Sequence, residues 1–326
     1  MLLLTKSIFS IMIGFLVSAV LGFFIVPALK KMHVGQRISS YVGPNHKKKE
    51  GTPTMGGIIF ILGTIITMAA LLATGKVSFT SNLAIVLIVF IGYALIGFID
   101  DFLSIRKHSN EGLTVYQKLF LQVLIAIVFF YIYMKNGGQT SFVVGTLHID
   151  IEMGFIYGLF ILLILVASSN AVNLTDGLDG LAGGISVIAM LAFALISLMV
   201  GYEDIGVFCL VLCGSIMGFL LYNTFPARVF MGDTGSLAIG GAMGAIAILT
   251  HRELTLIVVA GVPVIETLSV IMQTFSVQVL HKKAFLMTPL HHHFEKLGWK
   301  ETDIVKMFWI VGLILAMAGI LFGVWL

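Results

Sequence analysis

Five stretches of the chain carry residues whose types and spacing suit phosphate and cation chemistry. One is Gly97-Phe98-Ile99-Asp100-Asp101, at the end of a long apolar run. Helix neighbours point about 100° apart, so Asp100 and Asp101 cannot present alike to one ion. One suits a metal or a metal-bound phosphate and the other a proton. A solvated helix C-terminus explains them poorly, because negative charge there opposes the helix dipole. Another stretch runs from Ser169 to Gly180. Asn170, Asn173 and Asp176 recur every third residue and share a helix face, and Asp176 and Asp179 flank Gly177 and Leu178 in a turn. Carboxylates and amides without a basic neighbour suit a hard cation such as Mg²⁺; an ordinary turn and cap is the alternative.

The third stretch, Tyr222 to Ser236, holds Asn223, Phe230 and the run Gly232-Asp233-Thr234-Gly235-Ser236 ahead of a helix. Its glycines allow a ligand close to the backbone and the helix N-terminus favours anions, although Asp233 also suits a simple N-cap. Pro289 to Glu295 contains His291, His292 and His293. Three consecutive histidines cannot converge on one zinc ion in helix geometry, and phosphate binding or proton transfer fits them better. Lys47-Lys48-Lys49-Glu50 precedes Gly51-Thr52-Pro53-Thr54-Met55-Gly56-Gly57. Basic residues there suit topology or anionic lipid, but the Gly-Thr-Pro-Thr turn predicts a more ordered segment.

The elements that must position these residues are membrane spans. Of 326 residues, 59% are hydrophobic and only 11% charged, too few charges for the exterior of a soluble fold. Disorder, nucleic-acid binding and a disulfide scaffold are excluded on the same ground. Cys209 and Cys213 share one helix face and read as small buried residues rather than a disulfide. Ten spans of sufficient apolar length are predicted, near 8–29, 55–74, 82–100, 117–134, 155–172, 180–200, 205–222, 236–250, 255–280 and 304–326. The apolar run of the first is too long for a signal peptide, so it is expected to be retained. No fixed-period or inverted repeat is apparent, and 1–326 reads as one domain.

Around the odd-numbered loops lie 15 of the 19 Lys and Arg residues, which makes those loops cytoplasmic and both termini extracytoplasmic. The motif carboxylates fall on that same side. On the other side Asp150, Glu152, Glu203, Asp204 and Glu253 read as ordinary loop charges. Phe142, Val144, Leu147, Ile149 and Ile151 alternate with polar residues around Gly145, which predicts a small external β-hairpin between spans four and five. The ninth span carries Pro263, Glu266, Gln273 and Gln278. Pro263 should kink it and open a lateral groove. Phe285 to Trp299 reads as an amphipathic segment at the cytoplasmic interface.

Carboxylates with Mg²⁺, and Lys and His for phosphate, make a phosphoryl-transfer site where a water-soluble and a lipid substrate would meet. In content and order the five stretches resemble the phospho-N-acetylmuramoyl-pentapeptide transferase (MraY) family, over essentially the whole chain. The Asp pair and the Asn/Asp stretch are shared with the wider polyprenyl-phosphate N-acetylhexosamine-1-phosphate transferase superfamily. Gly-Thr-Pro-Thr-Met-Gly-Gly and Pro-Leu-His-His-His-Phe-Glu point to the muramoyl branch.

The resemblance implies an all-α polytopic enzyme of the bacterial cytoplasmic membrane, active site facing the cytoplasm. It would transfer phospho-N-acetylmuramoyl-pentapeptide from UDP-MurNAc-pentapeptide to undecaprenyl phosphate, yielding UMP and lipid I, with Mg²⁺ as cofactor. A homodimer in membrane lipid is implied, without nucleic acid. Asp233 and Asp176 would be metal ligands, with Asp100 and Asp101 close by and Asp100 the base. Asn173, Gly177, Leu178, Asp179 and Phe230 would form the uridine pocket. Lys49, Thr54 and Lys118 would contact the nucleotide, and His291 and His292 the diphosphate. Asn170, Asn223, Gln273 and His293 complete the substrate-binding set. A sister transferase using UDP-GlcNAc and an ion-coupled transporter are the competing readings. The histidine string argues against the former and the one-sided polar residues against the latter.

Overall fold

The computed structural model describes residues 3–32, 49, 51–107, 112–144 and 149–325. Within them lie twelve helices: α1 (Leu3–Lys31), α2 (Gly57–Ala73), α3 (Ser81–Arg106), α4 (Val115–Lys135), α5 (Ile156–Thr175), α6 (Leu181–Met199), α7 (Glu203–Asn223), α8 (Gly232–Leu249), α9 (Glu253–Val259), α10 (Gly261–Val279), α11 (Leu290–Lys296) and α12 (Glu301–Trp325). Among the described residues, nine helices are long and apolar enough to cross a membrane, and α2 is a shorter apolar helix of 17 residues. The protein is thus a multi-pass, all-α membrane protein. Lys47, Lys48, Glu50, Gly145 and Leu147 lie outside the described residues.

Helix α8 forms the centre. It packs against α3 and α5, while α7 packs against α1, α2 and α6, and α12 against α6 and α9. The sequence of α8 explains the placement, because small residues let backbones approach where water supplies no hydrophobic drive between helices. A Cβ on Gly240 would stand 2.4 Å from the Ser168 carbonyl oxygen. Helices α1, α4, α10 and α12 keep most of their surface outward.

Between α4 and α5, β1 (Ser141–Val144) pairs antiparallel with β2 (Ile149–Glu152), Ser141 opposite Glu152. This is the expected hairpin. Cys209 and Cys213 are free and buried inside α7, also as expected.

Three sequence expectations need correction. Helix α3 does not end at Asp100 and Asp101 but continues to Arg106, and both carboxylates are buried. The predicted ninth span is broken rather than kinked, with α9 ending at Val259 and α10 starting at Gly261. Pro263, in the first turn of α10, has no N–H and its ring crowds the carbonyl four residues back. Glu253 is not a solvated loop charge. It is 5% exposed and accepts a hydrogen bond from the Tyr157 hydroxyl at 2.5 Å. Glu203 pairs with Lys6, and Asp204 accepts from Thr80, at the same end of the bundle.

Candidate active site

The C-terminal ends of α3, α5 and α7 meet the N-terminal ends of α4, α6, α8 and α12 at the other end of the bundle. The Gly-Thr-Pro-Thr-Met-Gly-Gly segment is laced to the loop before α8. Phe230 N–H donates to the Pro53 carbonyl at 2.8 Å, Gly56 N–H to Phe230 at 2.8 Å, and Gly57 N–H to Met231 at 2.9 Å. A Cβ on Gly57 would lie 2.4 Å from the Gly235 Cα, so the glycine pair permits contact between two backbones. Gly232 adopts φ 74°, where glycine is favoured, and a Cβ there would meet Asp101 and Thr54.

Helix α8 starts without a side-chain cap of its own. Asp101 supplies one from α3. Its Oδ2 accepts from the Thr234 amide at 2.9 Å and hydroxyl at 2.6 Å, and its Oδ1 from the Asp233 amide at 3.2 Å. A carboxylate at a helix N-terminus satisfies amides that otherwise lack partners and complements the dipole.

Asp233 then projects from the first turn of α8 into a polar cluster. Its Oδ2 lies 2.6 Å from Lys118 Nζ, and its Oδ1 accepts from Asn173 Nδ2 at 2.7 Å. Asn173 also donates to Ser236 at 2.9 Å. Lys118 bridges to Asp100 Oδ1 at 3.2 Å, and that oxygen accepts from the Leu113 amide at 3.0 Å. The Thr114 capping box fixes the start of α4 and with it the position of Lys118. Asp176 lies just past α5, and burial, then the charges of Asp233, Asp101 and Asp179, push its carboxyl up to about 8. This part of the site holds more carboxylate than Lys118 can balance.

A second cluster adjoins it. Lys49 Nζ lies 2.7 Å from Asp179 Oδ1 and 2.6 Å from Glu301 Oε1. Asp179 Oδ2 accepts from the Ala227 amide at 2.9 Å, and Asn223 Oδ1 accepts from the Gly180 amide at 3.2 Å. Leu178 is buried with Leu181, Ile304, Val305 and Phe308. Phe230 is partly buried.

The three histidines part company. His291 is fully buried and bonds through Nδ1 to Glu266 at 3.1 Å, while its Nε2 has no hydrogen-bond partner and sits against Gly177. Glu266 also accepts from the Leu290 and His291 amides and so fixes the start of α11. His292 Nδ1 lies 2.6 Å from Glu295, and His293 Nδ1 accepts from the Leu286 amide at 3.1 Å.

Two expected substrate residues are engaged elsewhere. Gln273 accepts from the Ala284 and Phe285 amides at 3.0 and 2.9 Å, which ties that loop to α10. Asn170 donates to the Val166 carbonyl at 2.8 Å and to Gln122 at 3.4 Å, deeper in the bundle than Asn173. Glu301 and Gln122 were not anticipated, and Glu266 was noted only as a polar residue in its span. For Glu266 a signal existed, because a carboxylate within an apolar span calls for a partner.

Among the described residues, no group of three or more His, Cys, Asp or Glu is arranged to hold a metal ion. Magnesium does not require such a cage; it commonly takes one or two carboxylates plus waters and substrate phosphates. The oxygen donors of Asp176 and Asp233 fit that chemistry, and the Lys118 ammonium already holds a cationic position between Asp100 and Asp233.

Comparison with known proteins gives the family. The Glycosyl transferase family 4 pattern matches residues 83–251, and the Phospho-N-acetylmuramoyl-pentapeptide-transferase signature 1 matches residues 49–61. A phospho-N-acetylmuramoyl-pentapeptide-transferase of Geobacillus sp. (strain WCH70) is 46% identical over 320 residues, covering 98% of each chain. Its namesake in Geobacillus thermodenitrificans (strain NG80-2) is 45% identical, over 96% of this chain and 97% of its own. That of Bacillus subtilis (strain 168) is 44% identical, over 98% of each. With this similarity running nearly end to end, and the signature lying on the segment laced to the Asp233 loop, the chain belongs to the phospho-N-acetylmuramoyl-pentapeptide transferase family.

Proposed function

We propose that the protein transfers phospho-N-acetylmuramoyl-pentapeptide from its UDP-linked donor to undecaprenyl phosphate in the bacterial cytoplasmic membrane. An oxygen of the lipid phosphate attacks the sugar-linked phosphorus of the donor. A new P–O–P bond forms to the lipid, the P–O–P bond of the donor breaks, and UMP leaves with that electron pair. The products are lipid I and UMP. The observation that carries this reading is the Asp100–Lys118–Asp233–Asn173 cluster beside Asp176, backed by the segment 49–57 that the family signature covers.

Within this reading, Asp100 takes the proton of the lipid phosphate, and Lys118 and Leu113 hold its carboxylate in place. Asp233 and Asp176 would hold Mg²⁺, which would offset the diphosphate charge. The unpartnered Nε2 of His291 supports a contact between this residue and the diphosphate, and His292 works beside it. The partly buried Phe230 would stack on uracil. An apolar cavity of about 340 Å³, lined by Phe160, Leu163, Ala167, Leu256, Ala260 and Pro263 where α9 and α10 part, would take part of the lipid tail. The positive-inside distribution supports a cytoplasmic site and extracytoplasmic termini. A homodimer and a single domain over 1–326 belong to the same reading.

The test uses purified protein in lipid–detergent micelles with UDP-MurNAc-pentapeptide, undecaprenyl phosphate and Mg²⁺. UMP release that depends on all three supports the reading, and a folded sample that releases none overturns it. Preferential use of UDP-GlcNAc would move the enzyme to the sister branch.

A further inference from the structure

The last helix enters the site through Glu301, which lies outside all five motif stretches. Its Oε1 accepts from Lys49 Nζ at 2.6 Å and from the Asp179 amide at 2.8 Å. Lys49 reaches Asp179 Oδ1 at 2.7 Å, and the second Asp179 oxygen holds the Ala227 amide at 2.9 Å. The side chains of Lys49, Asp179 and Glu301 are 14%, 2% and 10% exposed. One carboxylate oxygen therefore ties the turn after α5 and the first residue of the signature segment to the first turn of α12. Asp179 adds the loop before α8.

Exposed ion pairs contribute little because water screens them and side-chain entropy opposes them. This junction is largely withdrawn from water, and its bonds are charge-assisted. Removing one partner leaves the others buried and uncompensated. The parts it aligns are Lys49 and the Asp179–Gly180 turn, which the transferase reading assigns to the nucleotide. Lys49 itself lies 5.9 Å from the centroid of Phe225.

We propose that Glu301 is a positioning residue for the nucleotide half of the site. It holds Lys49 and the Asp179–Gly180 turn in register for the uridine end of the donor, without contacting diphosphate or lipid. The inference rests on the transferase reading. The experiment compares Glu301→Gln and Glu301→Asp with the wild-type chain. Gln keeps an oxygen for the Asp179 amide but loses the charge that holds Lys49; Asp keeps the charge on a shorter stem. For Glu301→Gln the donor KM should rise about tenfold, equivalent to about 1.4 kcal/mol. Its kcat should stay within about twofold, and the KM for undecaprenyl phosphate should not change. Glu301→Asp should fall between it and wild type, so either variant that folds decides the matter. Unchanged KM values with a lowered kcat or melting temperature would mean a purely structural strut and would overturn the proposal. UMP affinity by calorimetry separates the two claims. If the wild type binds UMP but forms no lipid product, the transferase reading fails alone, and weaker UMP binding by Glu301→Gln still supports the positioning role. Equal UMP affinity in wild type and variant overturns it.

Discussion

Two aspartates of the site share a chemistry but not a task. Asp101 spends both oxygens on the first amides of α8 and the Thr234 hydroxyl, whereas Asp233 faces Lys118 and Asn173. Asp101→Asn removes the charge at a helix N-terminus and puts an NH₂ group where an acceptor is needed. It should cost about 1–2 kcal/mol, read as a lowered melting temperature, with partial activity remaining. Asp233→Asn leaves that cap in place. It should keep the melting temperature within a few degrees while kcat falls by roughly 100-fold or more. Equal thermal loss in both variants would contradict the division. That these aspartates matter was legible in the sequence, because charge is scarce and theirs lies in apolar company. Their partners were not legible, since Lys118 and Asn173 reach Asp233, and Asp101 reaches the Thr234 amide, only once the helices have packed. Glu301 goes unmarked in the sequence, and Glu253 reads as a loop charge, for a related reason. A carboxylate at the start of a helix reads as solvated until tertiary packing buries it.

At the scale of elements, nine of the ten predicted spans are single helices, because length and apolar character suffice to place them. The ninth had to be seen to be broken. The sequence marks Pro263 but not where its effect falls: helix α9 ends at Val259, and Ala260 joins the two halves. The break matters because Ala260 and Pro263 line the apolar cavity with α5 residues such as Leu163 and Ala167. Pro263→Ala restores an N–H and removes the ring clash, a change that favours helix by about 3 kcal/mol. A straighter α9–α10 should narrow the cavity. The KM for undecaprenyl phosphate should then rise by roughly tenfold, about 1.4 kcal/mol, with the donor KM unmoved. A matched rise in both would mean that the break shapes the whole site rather than the lipid's share. The two strands of the hairpin were legible, since a period-2 pattern marks them within the segment itself.

At the scale of the molecule, the site depends on how closely the central helix approaches its neighbours. The burial gradient from α8 outward to α4 is hard to read from sequence, because lipid-facing and core-facing helices are equally apolar. The distinguishing trace is composition: α8 is rich in Gly, Ala and Ser, while α4 carries large residues such as Leu124, Ile127 and Val128, all exposed. A methyl group on Gly97 would stand 2.1 Å from the Asp233 carbonyl oxygen, and one on Gly240 2.4 Å from the Ser168 carbonyl oxygen. Both contacts are with backbone, which cannot rotate aside. Gly240→Ala should therefore cost about 1–3 kcal/mol through overpacking. Gly97→Ala should add a specific loss of activity, because it pushes the first turn of α8, and Asp233 with it, away from Asp100 and Lys118. The pair is compared by melting temperature and by kcat per folded molecule, with Ile127→Ala on the lipid face as a control expected to change neither. If Gly97→Ala and Gly240→Ala lose activity only in proportion to their loss of folded protein, the close approach of α3 to α8 serves packing alone. If Gly97→Ala is further impaired while folded, the central helix sets the position of Asp233 for the reaction as well as holding the bundle together.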